Sequence, residues 1–144
     1  MTSSFLPDVN VWIALSSDRH VHHRVASDWY DSLEEDARFY FCRFTQLGLL
    51  RLLTAEVVMR EDVLSQTAAW RVYDGWIRGA GAELLDEPSG LDGPFRLLTQ
   101  GRASSPKAWP DAYLAALAEA SGVTLVTFDR AFRGKVKPLV LLGE

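Results

Sequence analysis

Residues 123–128, Val-Thr-Leu-Val-Thr-Phe, form the clearest strand in the chain. They follow an alanine-rich helical run, Pro110 to Ala120, that stops at Gly122, and glycine just past a last turn suits a left-handed cap. The same alternation of short strand and helix recurs throughout. Residues 5–8 read as a strand and Val9–Leu15 as the start of a helix. Val21, Val25, Trp29 and Leu33 recur every fourth position and mark a helix over Val21–Leu33. A strand at 39–42 leads to a helix over 46–55, with Thr45 as its N-cap. Ser65 caps a helix running to about Ile77, which Gly79-Ala80-Gly81 ends. Glu83–Leu85 reads as a short strand, Leu91–Thr99 as a helix, Gly101–Lys107 as a polar loop and Pro138–Leu142 as a last strand. Strands alternating with helices predict an α/β fold, a mostly parallel central sheet flanked by helices on both faces. Pro7 costs a ladder hydrogen bond inside a strand, so it belongs at a strand end. No repeat or long linker divides the 144 residues, and one domain over 1–144 is expected.

With 48% hydrophobic and 24% charged residues, the chain is expected to be globular rather than disordered. No 18-residue apolar run occurs, and the N-terminus lacks a basic segment followed by an apolar one, so neither a membrane span nor a signal peptide is expected. The single cysteine, Cys42, lies in the apolar run Phe39-Tyr40-Phe41-Cys42 and reads as a small buried hydrophobe. A reducing cytoplasm fits. The net charge of −4 disfavours a free-standing nucleic-acid scaffold. It leaves room for a nuclease whose acids gather at a metal. The basic residues are twelve Arg and three Lys, and Arg suits bidentate phosphate contacts.

Asp8, Asp111 and Asp129 each fall where a hydrophobic segment meets a helix start. In α/β sheets ligands collect outside the carboxyl ends of the strands. Three carboxylates at one rim would repel one another by roughly 3 kcal/mol per pair at about 5 Å and an effective dielectric near 20. A hard divalent cation such as Mg²⁺, which prefers oxygen ligands, relieves that repulsion. The pattern points to metal-dependent phosphoryl chemistry. Each acid also has a purely structural explanation. Asp8 and Asp129 are good N-caps, and Asp111 beside Pro110 complements a helix dipole. Asn10 is placed to hold the Asp8 carboxylate, and Thr127 to present a hydroxyl to the site.

The ordered set of Phe5 to Asn10, then Pro110-Asp111 with an alanine-rich helix, then Leu125-Val126-Thr127-Phe128-Asp129 resembles the PIN-domain family. More narrowly it resembles the VapC-type toxin ribonucleases of bacterial toxin–antitoxin pairs, from about residue 4 to residue 142. The resemblance implies a PIN-like three-layer sandwich and Mg²⁺ or Mn²⁺ held by Asp8, Asp111 and Asp129. It also implies endonucleolytic hydrolysis of RNA, dimerisation, and silencing by a VapB-type antitoxin whose C-terminal segment crosses the site. Such domains commonly carry another acid early in the helix after the second strand. Here Gln46, in Thr45-Gln46-Leu47-Gly48, stands where a glutamate is expected. A branch of the family carries this Thr-Gln-Leu-Gly pattern. A glutamine carbonyl can still ligate a cation or hold water with one charge fewer. Weaker metal affinity, or one metal rather than two, would follow. Arg43, Arg51 and Arg130 are candidates for phosphate contact.

Other readings compete. Asp8 as a phosphotransferase nucleophile would want a second acid where Asn10 stands and a nearby lysine, and the chain has only Lys107, Lys135 and Lys137. A non-catalytic PIN-like module that binds RNA or a partner is the alternative that Gln46 and the acidic balance favour. His20, His22 and His23 look like a metal motif but lack a nearby soft partner, and a helix-start or surface role suits them better. Of the five tryptophans, Trp12 and Trp109 flank the candidate acids and are the ones to consider for stacking on RNA bases.

Overall fold

A computed structural model of the chain describes residues 3–101 and 103–143. The ends of the expected 1–144 domain, and Arg102 within the polar loop, lie outside the described residues. Five strands, β1 (Ser4–Pro7), β2 (Arg38–Phe41), β3 (Glu83–Leu84), β4 (Thr124–Thr127) and β5 (Leu139–Leu141), form one sheet in the order β3-β2-β1-β4-β5. Every pairing is parallel. The sheet is therefore wholly parallel rather than mostly so. Successive strands step outward from β1 in opposite directions, so the β1/β4 junction is the switch point where the carboxyl ends open a crevice.

Alternate side chains of the central strands feed two cores. Phe5 and Val126 face one layer with Val11, Trp12, Leu49 and Tyr73. That layer contains α1 (Val9–Ser16), α2 (His23–Asp31), α3 (Arg43–Leu53) and α5 (Gln66–Asp74). Leu6 and Leu125 face the other, with Leu114, Leu117 and Phe132. The second layer is built mainly by α7 (Ala108–Ser121), beside the shorter α6 (Asp92–Leu98). Burial on both faces explains why the central strands read as nearly continuous apolar runs. Pro7 is the last residue of β1, beyond the part of it registered with β2. Gly122 caps α7 with φ +68°, as the sequence requires. Among the described residues no helix is long and apolar enough to cross a membrane.

Three local expectations change. The N-cap of α3 is Cys42, not Thr45. Thr45 is the third helical residue, and its hydroxyl accepts from the Cys42 amide at 2.9 Å in a reciprocal box. The helix thus starts three residues earlier than the pattern suggested. The second helix begins at His23; of the expected stripe Trp29 and Leu33 pack on the core beside the buried Ala26, whereas Val21 and Val25 are exposed. A short helix, α4 (Glu56–Met59), occupies a segment where no element was expected.

Candidate active site

The carboxyl ends of β1 and β4 carry Asp8 and Asp129, and the first turn of α7 brings Asp111 beside them. Asp8 caps α1, its Oδ1 accepting from the Val9 amide at 2.7 Å. The buried Thr127 hydroxyl donates to Asp8 Oδ2 at 2.9 Å. Thr127 Oγ1 itself accepts from the Asp129 amide at 3.0 Å and from Asn10 Nδ2 at 3.3 Å. Asn10 Oδ1 in turn accepts from the Phe128 amide at 3.3 Å. Asn10 therefore acts on Asp8 through Thr127 and not by a direct bond. The one hydroxyl proton of Thr127 is given to the Asp8 carboxylate.

Charge and burial work against the acids. Burial pushes the Asp8 carboxyl above the usual range, and the like charges of Asp111 and Asp129 add to this, partly offset by Thr127 and Val9. Asp111 is also raised, by burial first and by Asp129. Asp129 goes the other way, because Lys107 holds it below the usual range. The Lys107 ammonium lies 2.9 Å from Asp129 Oδ2, while Oδ1 accepts from the Ala131 amide at 2.9 Å. A raised carboxylate takes its proton in the folded state first, so the contribution of Asp8 and Asp111 to metal-free stability becomes more favourable as pH falls through their raised pKa toward the unfolded value of about 4. The depressed Asp129 contributes in the opposite sense, and its stabilisation is lost only below that range. In EDTA, the gain in melting temperature between pH 7 and pH 4 should be smaller for Asp8→Asn than for the wild type. Equal gains would show that Asp8 carries no such penalty.

The structure turns Gln46 away from the acids. It is buried, its Oε1 accepts from Arg43 Nη1 at 2.7 Å, and it also meets Tyr73. The α3 face that lines the cavity with Asp8 and Asp111 presents Phe44, Leu47, Gly48 and Arg51. At 3.6 residues per turn, Gln46 lies about 160° around the helix from Gly48. Gly48 is thus an α3 position that faces the cavity Asp8 lines, and a Cβ there would collide with Val9 Cγ2. An acid in this turn would need Val9 to move. Of the expected arginines, Arg51 lines the cavity, Arg43 is spent on Gln46, and Arg130 lies exposed one residue past Asp129. Trp12 is fully buried and stacked on Phe41 at 3.9 Å, which rules it out as a base platform, whereas Trp109 is 57% exposed. His22 stacks on Phe128 at 4.6 Å, and His23 Nδ1 lies 2.7 Å from the Ala14 carbonyl, so the histidines brace the loop behind the site.

Sequence reasoning missed Lys107 and Lys135, both of which act electrostatically on Asp111 and Asp129. For Lys107 a signal existed, because it precedes Asp111 by four residues and so shares its helix face. The donor set is three carboxylates with hard oxygens, the chemistry that suits Mg²⁺ or Mn²⁺. Among the described residues no three acidic, histidine or cysteine side chains are yet drawn together as a closed ligand group. One of the three, Asp129, is engaged instead by the Lys107 ammonium.

The profile of the PIN domain matches residues 5–137. Ribonuclease VapC41 of Mycobacterium tuberculosis is 42% identical over 135 residues, covering 88% of this chain and 90% of the relative. Ribonuclease VapC44 of the same organism is 31% identical over 133 residues, covering 88% and 86%. Among solved structures, VapBC2 from Rickettsia felis bound to a promoter DNA fragment superposes with a TM-score of 0.66 at 13% identity, covering 96% of both chains. Mycobacterium tuberculosis VapC20, a toxin that cleaves the sarcin–ricin loop, gives 0.64 at 17% identity, covering 90% of this chain and 92% of its own. With a three-layer parallel fold and acids at its switch point, the chain belongs to the PIN-domain family, alongside the VapC ribonucleases.

Proposed function

We propose that this chain is a divalent-metal-dependent endoribonuclease, the toxin of a type II toxin–antitoxin pair. The observation that carries the reading is the placement of three carboxylates, Asp8, Asp111 and Asp129, from separate segments of the chain around the β1/β4 switch point, the last two close enough to raise the Asp8 carboxyl. The relatives named as VapC ribonucleases support the activity. Asp8, Asp111 and Asp129 would hold Mg²⁺, with Mn²⁺ as a substitute. When bound, such an ion lowers the pKa of a water and offsets the charge of the scissile phosphate. Thr127 and Asn10 keep the Asp8 carboxylate in one orientation. Arg51 and Arg130 supply positive charge for the RNA backbone at the rim.

The cavity beside the acids, about 330 Å³, is apolar apart from the acids, Lys107 and Arg51, and is walled by Phe44, Leu47, Leu52 and Leu114. A VapB-type antitoxin segment laid across that wall would silence the enzyme, and a homodimer is the expected assembly. Solved neighbours that contain a toxin with its antitoxin support the pairing. One feature favours the non-catalytic alternative, since Gly48 offers no fourth acid. Purified, antitoxin-free protein should cut total bacterial RNA into discrete fragments in Mg²⁺ or Mn²⁺, and EDTA should abolish the cutting. A folded protein that leaves RNA intact with either metal would establish the binding module instead.

A further inference from the structure

We propose that Lys107 is a resident counter-cation of the acid cluster, which a divalent ion must displace from Asp129 before the site can load. The inference rests on the metal-dependent reading of the three acids. Its own observation is the ion pair of 2.9 Å between Lys107 Nζ and Asp129 Oδ2. The charge of the ammonium is also felt, less strongly, by Asp111 and least by Asp8. The other Asp129 oxygen is occupied by the Ala131 amide. The lysine therefore holds the carboxylate oxygen that the Ala131 amide leaves open. A second cation on that oxygen would meet the ammonium at contact distance, and two like charges there repel strongly.

The lysine is built to leave. Its side chain is 69% exposed, whereas that of Asp129 is 24% exposed. It sits immediately before the first residue of α7, at the end of an exposed loop. Swinging a long, solvated side chain into water costs little, because a strongly hydrated ammonium regains its water. Lys107 is thus a positioning residue that holds Asp129 in reserve. It stabilises the metal-free site and raises the metal concentration at which the site fills. Lys135, the other cation acting on Asp111 and Asp129, shares in neutralising the cluster and would remain after Lys107 leaves.

The test needs no RNA. Metal-free protein is titrated with Mn²⁺ by calorimetry as wild type, Lys107→Met, Lys107→Arg and Asp8→Asn. Lys107→Met should bind Mn²⁺ about tenfold more tightly than the wild type, and Lys107→Arg about as the wild type does. The chain has three lysines, so their side-chain εCH₂ signals can be assigned individually by NMR. In the wild type, saturating Mg²⁺ should move the Lys107 signal to the position of a free, solvated lysine. Unchanged affinity in Lys107→Met, or a Lys107 signal that stays put at Mg²⁺ saturation, would overturn the proposal even where the wild type binds metal. Asp8→Asn that binds Mn²⁺ as well as the wild type would instead remove the acid cluster as the metal site, a separate failure.

Discussion

Asp8→Asn should lower RNA cleavage by at least about a thousandfold while the protein stays folded. Asparagine is as good an N-cap as aspartate, so the start of α1 survives. What disappears is one of three negative charges and one of the two oxygens. The single carbonyl oxygen of asparagine cannot accept from both the Val9 amide and the Thr127 hydroxyl, which Asp8 serves at 2.7 and 2.9 Å. The amide nitrogen faces whichever donor is left over and cannot ligate a cation. The check is the cleavage rate at saturating Mg²⁺, with a thermal melt by circular dichroism to verify the fold. Retained cleavage would remove Asp8 from the reaction.

Thr127→Val should cost about 3 kcal/mol of stability although the two side chains have nearly the same shape. The hydroxyl carries three contacts, to Asp8 Oδ2, to the Asp129 amide and to Asn10 Nδ2. Valine leaves a half-buried carboxylate oxygen and two donors without a partner, and stranded groups cost more than the bonds themselves are worth. Urea denaturation in EDTA measures the loss, and Thr127→Ser should recover most of it. The Thr127 bond also lowers the Asp8 pKa. Its removal should therefore move the acid limb of the pH–rate profile to higher pH. A Thr127→Val protein with wild-type stability and an unmoved acid limb would reduce Thr127 to a filler of the core.

The sheet was legible because its central strands are short and apolar on both faces, and its helices are punctuated by Ser65 and Gly122. The three acids were legible because each stands at a strand or helix end. Errors arose where sequence position hides direction. Thr45 looked like a cap because threonine favours caps, yet Cys42 starts the helix. Placing the start three residues late left the facing of each position in the turn unresolved. Gln46 was thereby assigned a role at the rim that geometry gives to Gly48. Asn10 and Thr127 do lie beside Asp8, but the order of their hydrogen bonds depends on a contact between residues 117 apart that no local pattern encodes. Lys107 was passed over because its i,i+4 relation to Asp111 appears only when α7 is extended back to Ala108.

The central position of β4 has a consequence for the making of this protein. The Thr127–Asp8 bond joins residues 119 apart in the chain. At about 5–20 residues per second, Thr127 is synthesised roughly 6–24 s after Asp8. Until β4 docks against β1, Asp129 has no fixed place and Asp8 lacks its hydroxyl donor. A growing polypeptide therefore cannot bring Asp8, Asp111 and Asp129 to one rim until almost the whole chain has been made and β4 has docked.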